Sequence, residues 1–535
     1  MKEKTFLKRL KKVENSALSK VGLSAFLKEL EEKEIEIHSI MILRGDKVVY
    51  ESWAPPYGPD IPHVMFSVSK SFTSTAIGLA IDEGLLSLDT RLIDIFPEYK
   101  SEEPDENLEK LNIYHLLTMT AGKDESLMAD RTKDRWIRNF MQSKWLSEPG
   151  TSFKYINDNI YMLSAALERV AGVDMSQYLT PRLYEPLGYG RVPYWETDPG
   201  GTPAGGWGLY ATTEEMAKLA LCYKQGGIFE GQRVIPEEWA QEAGKKHVET
   251  NRLDKDSSVG YGLCFWRNSL ENSYRMDGMF SQFAFIFEDY DAVIAITASE
   301  ILEQKFRDCV WNHFPAAFTE NNEDKALDWD DIQLKALPDL PAKERSGYEK
   351  VINGRVALTG RKRLLEAINF PLSMLPVAIV YMSADKAGNI DEISFDFLDD
   401  ECLIGWTEGE EKNTVRCGMD GKPRLSKIRL AGMDFTAACT AAWQDEKTLS
   451  FWMRPVESIC QRRIDFVFKG FDVEMFFGSY PTTRKMMMAL SSSVDEYINN
   501  ALALRAMQGL MSNAHKILEP TLKGRLYKKD ALPKK

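Results

Sequence analysis

The chain has no C-x-x-C pair, no H-E-x-x-H, no G-x-S-x-G and no run near the roughly 20 uninterrupted apolar residues of a membrane-spanning helix. Each absence removes a class. Its seven cysteines (Cys222, Cys264, Cys309, Cys402, Cys417, Cys439, Cys460) are odd in number and sit mostly in apolar surroundings such as "GLCFW" and "LALCY". They read as reduced, buried thiols of a cytoplasmic protein, not as disulfides or zinc ligands. The six histidines are scattered, so His63 and His115 read as packing or hydrogen-bonding residues, and no metal is expected. Without G-x-S-x-G there is no motif for a Ser-His-Asp triad. A net charge of -13, with no basic block outside the termini, argues against a nucleic-acid surface and for a small-molecule or peptide partner. The basic N-terminus "MKEKTFLKRLKKVENSALSK" leads into no apolar run of signal-peptide length, so neither secretion nor membrane attachment is expected.

What is present is ordinary globular material. A chain of 535 residues with 44% hydrophobic and 27% charged residues calls for two or three domains, each with its own core. Strand-like text at "IEIHSIMILRGDKVVYESW", broken at Gly45-Asp46, and at "SYRMDGMFSQFAFIFEDYDAVIAITAS", with a turn at Asp289 to Asp291, encloses a long helical stretch. That order predicts an α+β domain over residues 1–317, with terminal strands joined in one antiparallel sheet, flanking helices and an all-helical region. The polar residues 318–347 read as a linker, residues 348–480 as a small β-rich domain, and residues 481–535 as a helical tail.

The segment "HVMFSVSKSFTSTAIGLAIDEG" carries S-x-x-K at Ser67 and Lys70, followed by Phe72, Ala76 and Leu79 at helical spacing. Chance supplies S-x-x-K about once or twice in a chain this long, and it recurs at Ser383 to Lys386 within a turn-like "MSADKAGN". Only the first copy has a helix to work with. There the hydroxyl and the amine share a face, and a neutral lysine can take or relay the serine proton. The backbone N–H of Ser67, near the positive end of the helix, can help hold an oxyanion. Two further elements follow in order. Tyr155-Ile156-Asn157 lies in "SEPGTSFKYINDNIY", where a phenol can act as base or acid and an amide can orient a cation; Tyr497-Ile498-Asn499 repeats the letters in the helical-looking tail. "MDGMFSQFAFIFED" then offers Gly278 for close backbone approach and the N–H of Met279 as a second oxyanion donor.

This order resembles the serine β-lactamase and penicillin-binding-protein superfamily, in particular the class C β-lactamase-like branch with its esterases, D-peptidases and 6-aminohexanoate-oligomer hydrolases. "LLTMTAG", "EPLGYG", "GGWGLYATTEEMAKLALCYKQGG" and "GQRVIPEEW" extend the likeness over residues 36 to 300, and the later β-rich domain looks like a lipocalin-like appendage. The resemblance implies Ser67 as the acylated nucleophile and Lys70 as its proton partner. It further implies Tyr155 as general base and then acid, Asn157 as the holder of Lys70 and substrate, and the Ser67 and Met279 N–H groups as the oxyanion hole. No cofactor is implied.

One position departs from the pattern. Where β-lactamases and D-alanyl peptidases carry Lys or His two residues before the strand glycine, this chain has Met276, and a thioether cannot hold a substrate carboxylate. Asp277, if it faces the pocket beside Gly278, favours a neutral or cationic substrate group; the alternative is a strand-edge turn carboxylate. The expectation is a cytoplasmic serine hydrolase acting through an acyl-enzyme on a small ester or amide. Its rivals are a β-lactamase or D-amino-acid peptidase, an acyltransferase, and a catalytically silent ligand-binding protein of the same fold. The appended domain and tail suit covering the cleft, restricting substrate size or forming a homodimer.

Overall fold

A computed structural model describes residues 8–12, 18–100, 105–126, 135–319, 324, 326–359, 373–375, 388–486, 519 and 521–529. The chain divides into two compact units, Met1–Lys335 and Ala336–Lys535.

In the first unit the two ends of the domain meet in one sheet. β1 (Ile37–Arg44) and β2 (Lys47–Trp53) form the hairpin expected at Gly45-Asp46, and β3 (Trp266–Arg267), β4 (Ser273–Gly278), β5 (Gln282–Phe287) and β6 (Ala292–Ala298) return much later. Their order is β2-β1-β6-β5-β4-β3, with every neighbour antiparallel. Pairs such as Ile40 with Ile296 tie the first strand to the last. β5 and β6 are buried along their whole length, and the reason is that both faces are covered. On one face α1 (Lys20–Glu32) and α5 (Glu303–His313) pack Phe26, Leu30, Phe306 and Val310 against Ile40, Phe283, Phe285 and Ile294. On the other lies α4 (Thr213–Lys224), where Ser39 of β1 meets the Thr213 hydroxyl at 2.6 Å.

Between β2 and β3 the chain builds the helical region that holds α2 (Ser69–Asp82) and α3 (Asn157–Ala171). α2 is buried from Ser69 to Ala80 although half of these residues are polar. Its hydroxyls are matched one by one: Ser71 donates to Cys264 O at 2.9 Å, Ser74 to Leu263 O at 2.7 Å and Thr73 to Gly205 O at 2.9 Å. These bonds satisfy the helix face and stitch it to two separate loops.

Among the described residues of the second unit, one sheet of ten strands has the order β10-β9-β8-β7-β16-β15-β14-β13-β12-β11. They are β7 (Arg355–Thr359), β8 (Ile390–Phe397), β9 (Glu401–Glu408), β10 (Glu411–Gly418), β11 (Arg424–Leu430), β12 (Met433–Trp443), β13 (Thr448–Pro455), β14 (Gln461–Lys469), β15 (Asp472–Tyr480) and β16 (Leu522–Lys528). A parallel bridge from Gly418 to Thr440 brings β10 to β12 and closes the sheet into a barrel around Ile393, Phe395, Ile404, Phe451, Ile464 and Phe466. The buried guanidinium of Arg462 donates to the carbonyls of Ser373, Met374 and Leu375.

Two expectations need correction. The tail expected to be helical contributes β16, which runs antiparallel between β7 and β15. Leu522 and Leu526 are the buried residues of this strand, and a four-residue spacing fits a helix face and a strand face alike. Nor are residues 318–347 one free linker. Leu334 donates its N–H to Ser52 of β2 at 2.9 Å within the first unit, while Thr440 is hydrogen-bonded to Asp339 within the second. Ser383 to Lys386 and Tyr497 to Asn499 lie outside the described residues.

The strand assignment predicts that deleting residues 521–535 leaves the ladders of β7 and β15 unpaired. The truncated chain should lose the cooperative unfolding of its second unit and become protease-sensitive there, whereas removal of a surface helix would leave the melting curve of that unit unchanged.

Candidate active site

The chain enters the site on a short strand, His63–Val64, paired with Leu209–Ala211. It then turns sharply. Phe66 has φ +45°, a left-handed conformation uncommon for an aromatic residue, and its ring packs on Phe280 at 5.1 Å. A single 3-10 turn, Phe66–Val68, carries Ser67 to the head of α2.

Lys70 follows one turn later with 1% of its surface exposed. Its Nζ lies 2.8 Å from Ser67 Oγ, 2.7 Å from Asn157 Oδ1 and 2.6 Å from Gly206 O. Two of these three partners, the amide and backbone carbonyls, can only accept. A neutral amine has two hydrogens for them and one lone pair left for the serine O–H. Burial favours that neutral form and lowers the Lys70 pKa to about 7, against the opposing fields of Cys264, Asp277 and Glu125. The Cys264 thiol beside it is pushed by burial up to about 12 and keeps its proton.

Tyr155 closes the other side of the hydroxyl. Its phenol is hydrogen-bonded to Ser67, and its ring centre is 4.9 Å from Lys70 Nζ. Trp266 and Tyr261 wall the ring at 5.4 and 6.0 Å. Burial pushes the phenol well above its usual range; the Ser67 hydrogen bond and the charge of Arg252 pull it back, while Asp277 and Cys264 push it further up. In the unliganded site the phenol therefore holds its proton while the amine readily gives its proton up.

Gly278 ends β4 hard against the turn that carries Ser67. A Cβ there would stand 2.3 Å from Met65 O and 3.2 Å from Val68 N, so no side chain fits. Beyond it the backbone of Met279, Phe280 and Ser281 is fixed from several directions. Gln282 Nε2 donates to Met279 O at 3.2 Å, Phe280 O at 3.0 Å and Ala298 O at 2.8 Å, and the Phe280 N–H donates to Glu303 at 3.2 Å.

The structure thus brings Ser67, Lys70, Tyr155 and Asn157 together and sets the Gly278 end of β4 against them. It places Asp277 differently. Its carboxylate accepts from Arg275 Nε at 2.6 Å and lies 3.6 Å from Arg307, so its charge is paired within the protein. Met276 is fully buried. His63 is hydrogen-bonded, with ring nitrogens 2.9 Å from Val64 O and 3.0 Å from His38, and burial lowers its pKa to about 3. His115 serves a helix cap with Asn112, and Trp207 packs on Trp136 at 5.6 Å. Among the described residues no group of three potential ligands could hold a metal ion, and no helix is long and apolar enough to cross a membrane. All seven cysteines are buried and free. Sequence reasoning missed the Gly206 carbonyl, because a backbone group leaves no side-chain signal, and Arg252, which lies in an unremarkable polar loop.

The beta-lactamase family model matches residues 24–308. A 6-aminohexanoate-dimer hydrolase of Paenarthrobacter ureafaciens is 25% identical over 238 residues, 41% of this chain and 60% of that relative's length. Among solved structures, a putative 6-aminohexanoate-dimer hydrolase from Bacillus anthracis is 18% identical with a TM-score of 0.49, covering 58% of this chain and 87% of that one. An octameric penicillin-binding protein homologue from Pyrococcus abyssi is 16% identical with a TM-score of 0.45, covering 85% of this chain and 98% of that one. With the family model spanning more than half of its length, the chain belongs to the β-lactamase family.

Proposed function

We propose that the protein is a serine hydrolase that cleaves a small ester or amide through an acyl-enzyme on Ser67. One observation carries the reading: a buried amine whose two obligate acceptors leave its lone pair for the Ser67 hydroxyl, 2.8 Å away. The neutral Lys70 amine takes the hydroxyl proton as Oγ attacks the substrate carbonyl. The developing oxyanion is held by the N–H groups of Ser67 and Met279. Tyr155, which holds its proton in the unliganded site, gives it to the leaving alcohol or amine, and Lys70 returns a proton to the phenol. Deacylation runs the same path with water as the nucleophile. The buried Met276 and the internally paired Asp277 support a substrate without a carboxylate anchored on β4, which sets a β-lactam or D-Ala-D-Ala substrate aside. Seven free, buried thiols support a reducing, cytoplasmic setting.

A fluorophosphonate probe should add one adduct to the wild type and none to Ser67→Ala, read by intact mass; the wild type should hydrolyse short-chain p-nitrophenyl esters and spare nitrocefin. Absence of both adduct and turnover would falsify the hydrolase reading.

The lowered Lys70 pKa fixes the sign of the pH dependence. The unprotonated amine is the active form, so kcat/KM should rise with pH, fall about tenfold per unit on the acid side, and level off above a midpoint near 7. Lys70→Arg, which stays charged, should lose at least about a thousandfold across that range.

Gly278→Ala should cost about a hundredfold in kcat, because its Cβ must displace the turn that carries Ser67, and the same clash with the Met65 carbonyl should lower the thermal unfolding midpoint followed by circular dichroism. A variant with near-normal turnover would show that the close approach of β4 is dispensable.

A further inference from the structure

Met276 occupies the position two residues before Gly278 and brings no charge, and the cation that β4 does carry, Arg275, is fully buried, 2.6 Å from the Asp277 carboxylate and 5.8 Å from the Trp266 ring centre. A cation reaches Tyr155 from elsewhere. The guanidinium of Arg252 lies 5.7 Å from the Tyr155 ring centre and 6.0 Å from that of Trp266. It belongs to the loop between the helix Glu237–Ala243 and β3, where the neighbouring Asn251 and Leu253 are exposed while Arg252 is half-buried. The loop therefore sits at the surface and sends this one long side chain inward onto the aromatic wall of the site. Lys70 Nζ approaches the same phenol ring, at 4.9 Å.

We propose that Arg252 supplies from this loop the positive charge that position 276 lacks, and that it acts as an electrostatic positioning residue that lets Tyr155 release its proton to the leaving group. The inference rests on the hydrolase reading above. As the phenol gives up its proton it becomes a phenolate, and a guanidinium over the ring stabilises that anion more than the neutral phenol. Its charge does act in this direction on Tyr155, against a burial that favours the protonated form. The proton moves from the Tyr155 oxygen to the departing oxygen or nitrogen as the carbonyl carbon's bond to it breaks, and no other reactant is consumed. Arg252 keeps its own proton throughout, as an arginine does.

This role has a signature that packing alone does not share. A p-nitrophenolate departs without a proton, whereas an alkoxide needs one, so the effect of Arg252 should follow the basicity of the leaving group. The test compares kcat/KM of wild type, Arg252→Gln and Arg252→Lys on p-nitrophenyl butyrate and ethyl butyrate, with fluorophosphonate labelling to check that Ser67 is intact. Arg252→Gln should lose about tenfold on the ethyl ester and less than about twofold on the nitrophenyl ester, with labelling unchanged, and Arg252→Lys should recover most of the loss. Equal losses on both esters, or none, would overturn the proposal. So would a change confined to the KM of esters with a carboxylate in the acyl chain, such as monoesters of glutaric acid, which would make Arg252 a substrate anchor. A wild type that neither labels nor turns over either ester removes the hydrolase reading and this inference with it; an active wild type with uniform Arg252→Gln effects removes the inference alone.

Discussion

A lysine amine held almost entirely out of water is the constraint around which the first unit is arranged. A buried ammonium is costly, and a buried amine without acceptors is hardly better. The fold answers with three partners at hydrogen-bonding distance, drawn from three separate elements: Ser67 from the turn before α2, Asn157 from the first residue of α3, and the carbonyl of Gly206 from a glycine-rich loop. Their chemistry is unequal, and the inequality matters. Two of the partners accept only, so the third, the serine hydroxyl, is the one group that can donate to the lone pair. The same arrangement that makes the burial tolerable also aims the amine's lone pair at a hydroxyl.

Holding three elements to that geometry explains features that would otherwise look wasteful. α2 is buried on nearly every side yet rich in hydroxyls, and those of Ser71, Thr73 and Ser74 bond loop carbonyls. Replacing those hydroxyls by methyl groups would keep the volume but release the loops that bear Gly205 and Cys264. The left-handed Phe66 stores strain at the turn that carries Ser67, and the close passage of Gly278 presses β4 against it. The six-stranded sheet, covered on both faces, supplies the rigid frame against which such local strain can persist.

Side-chain chemistry concentrated in short segments was legible without a structure. Ser67, Lys70, Tyr155 and Asn157 stand in two recognisable stretches, and the alternation of apolar runs at Gly45 and at Asp289 to Asp291 marked the hairpins of the sheet. Three kinds of information were not written locally. Gly206 contributes through its backbone, so its residue type says nothing about the amine it accepts from. Asp277 is governed by Arg275, Asn268 and Arg307, and only the folded sheet and α5 bring Arg307 to it. β16 reads as helix because two leucines four apart satisfy either periodicity, and what decides between them is a vacant ladder position between β7 and β15, more than 40 residues away along the chain on one side.

The placement of charge also separates what the motif preserves from what it leaves open. Around the hydroxyl Lys70 is buried and tightly partnered and Ser67, Tyr155 and Asn157 are half-buried, whereas the groups on the strand differ from those expected there. Met276 presents no charge, and the Asp277 carboxylate is turned into an internal cluster with Arg275 and Arg307. Ser67, Asn157 and the Gly206 carbonyl each partner the Lys70 amine, and losing one of them leaves a buried group unsatisfied. The β4 face carries no such penalty, because a methionine packs there without hydrogen-bond obligations. The two sides of the site therefore differ in what a substitution costs: a change beside the hydroxyl strands a hydrogen-bonding neighbour, whereas a change at Met276 alters only packing.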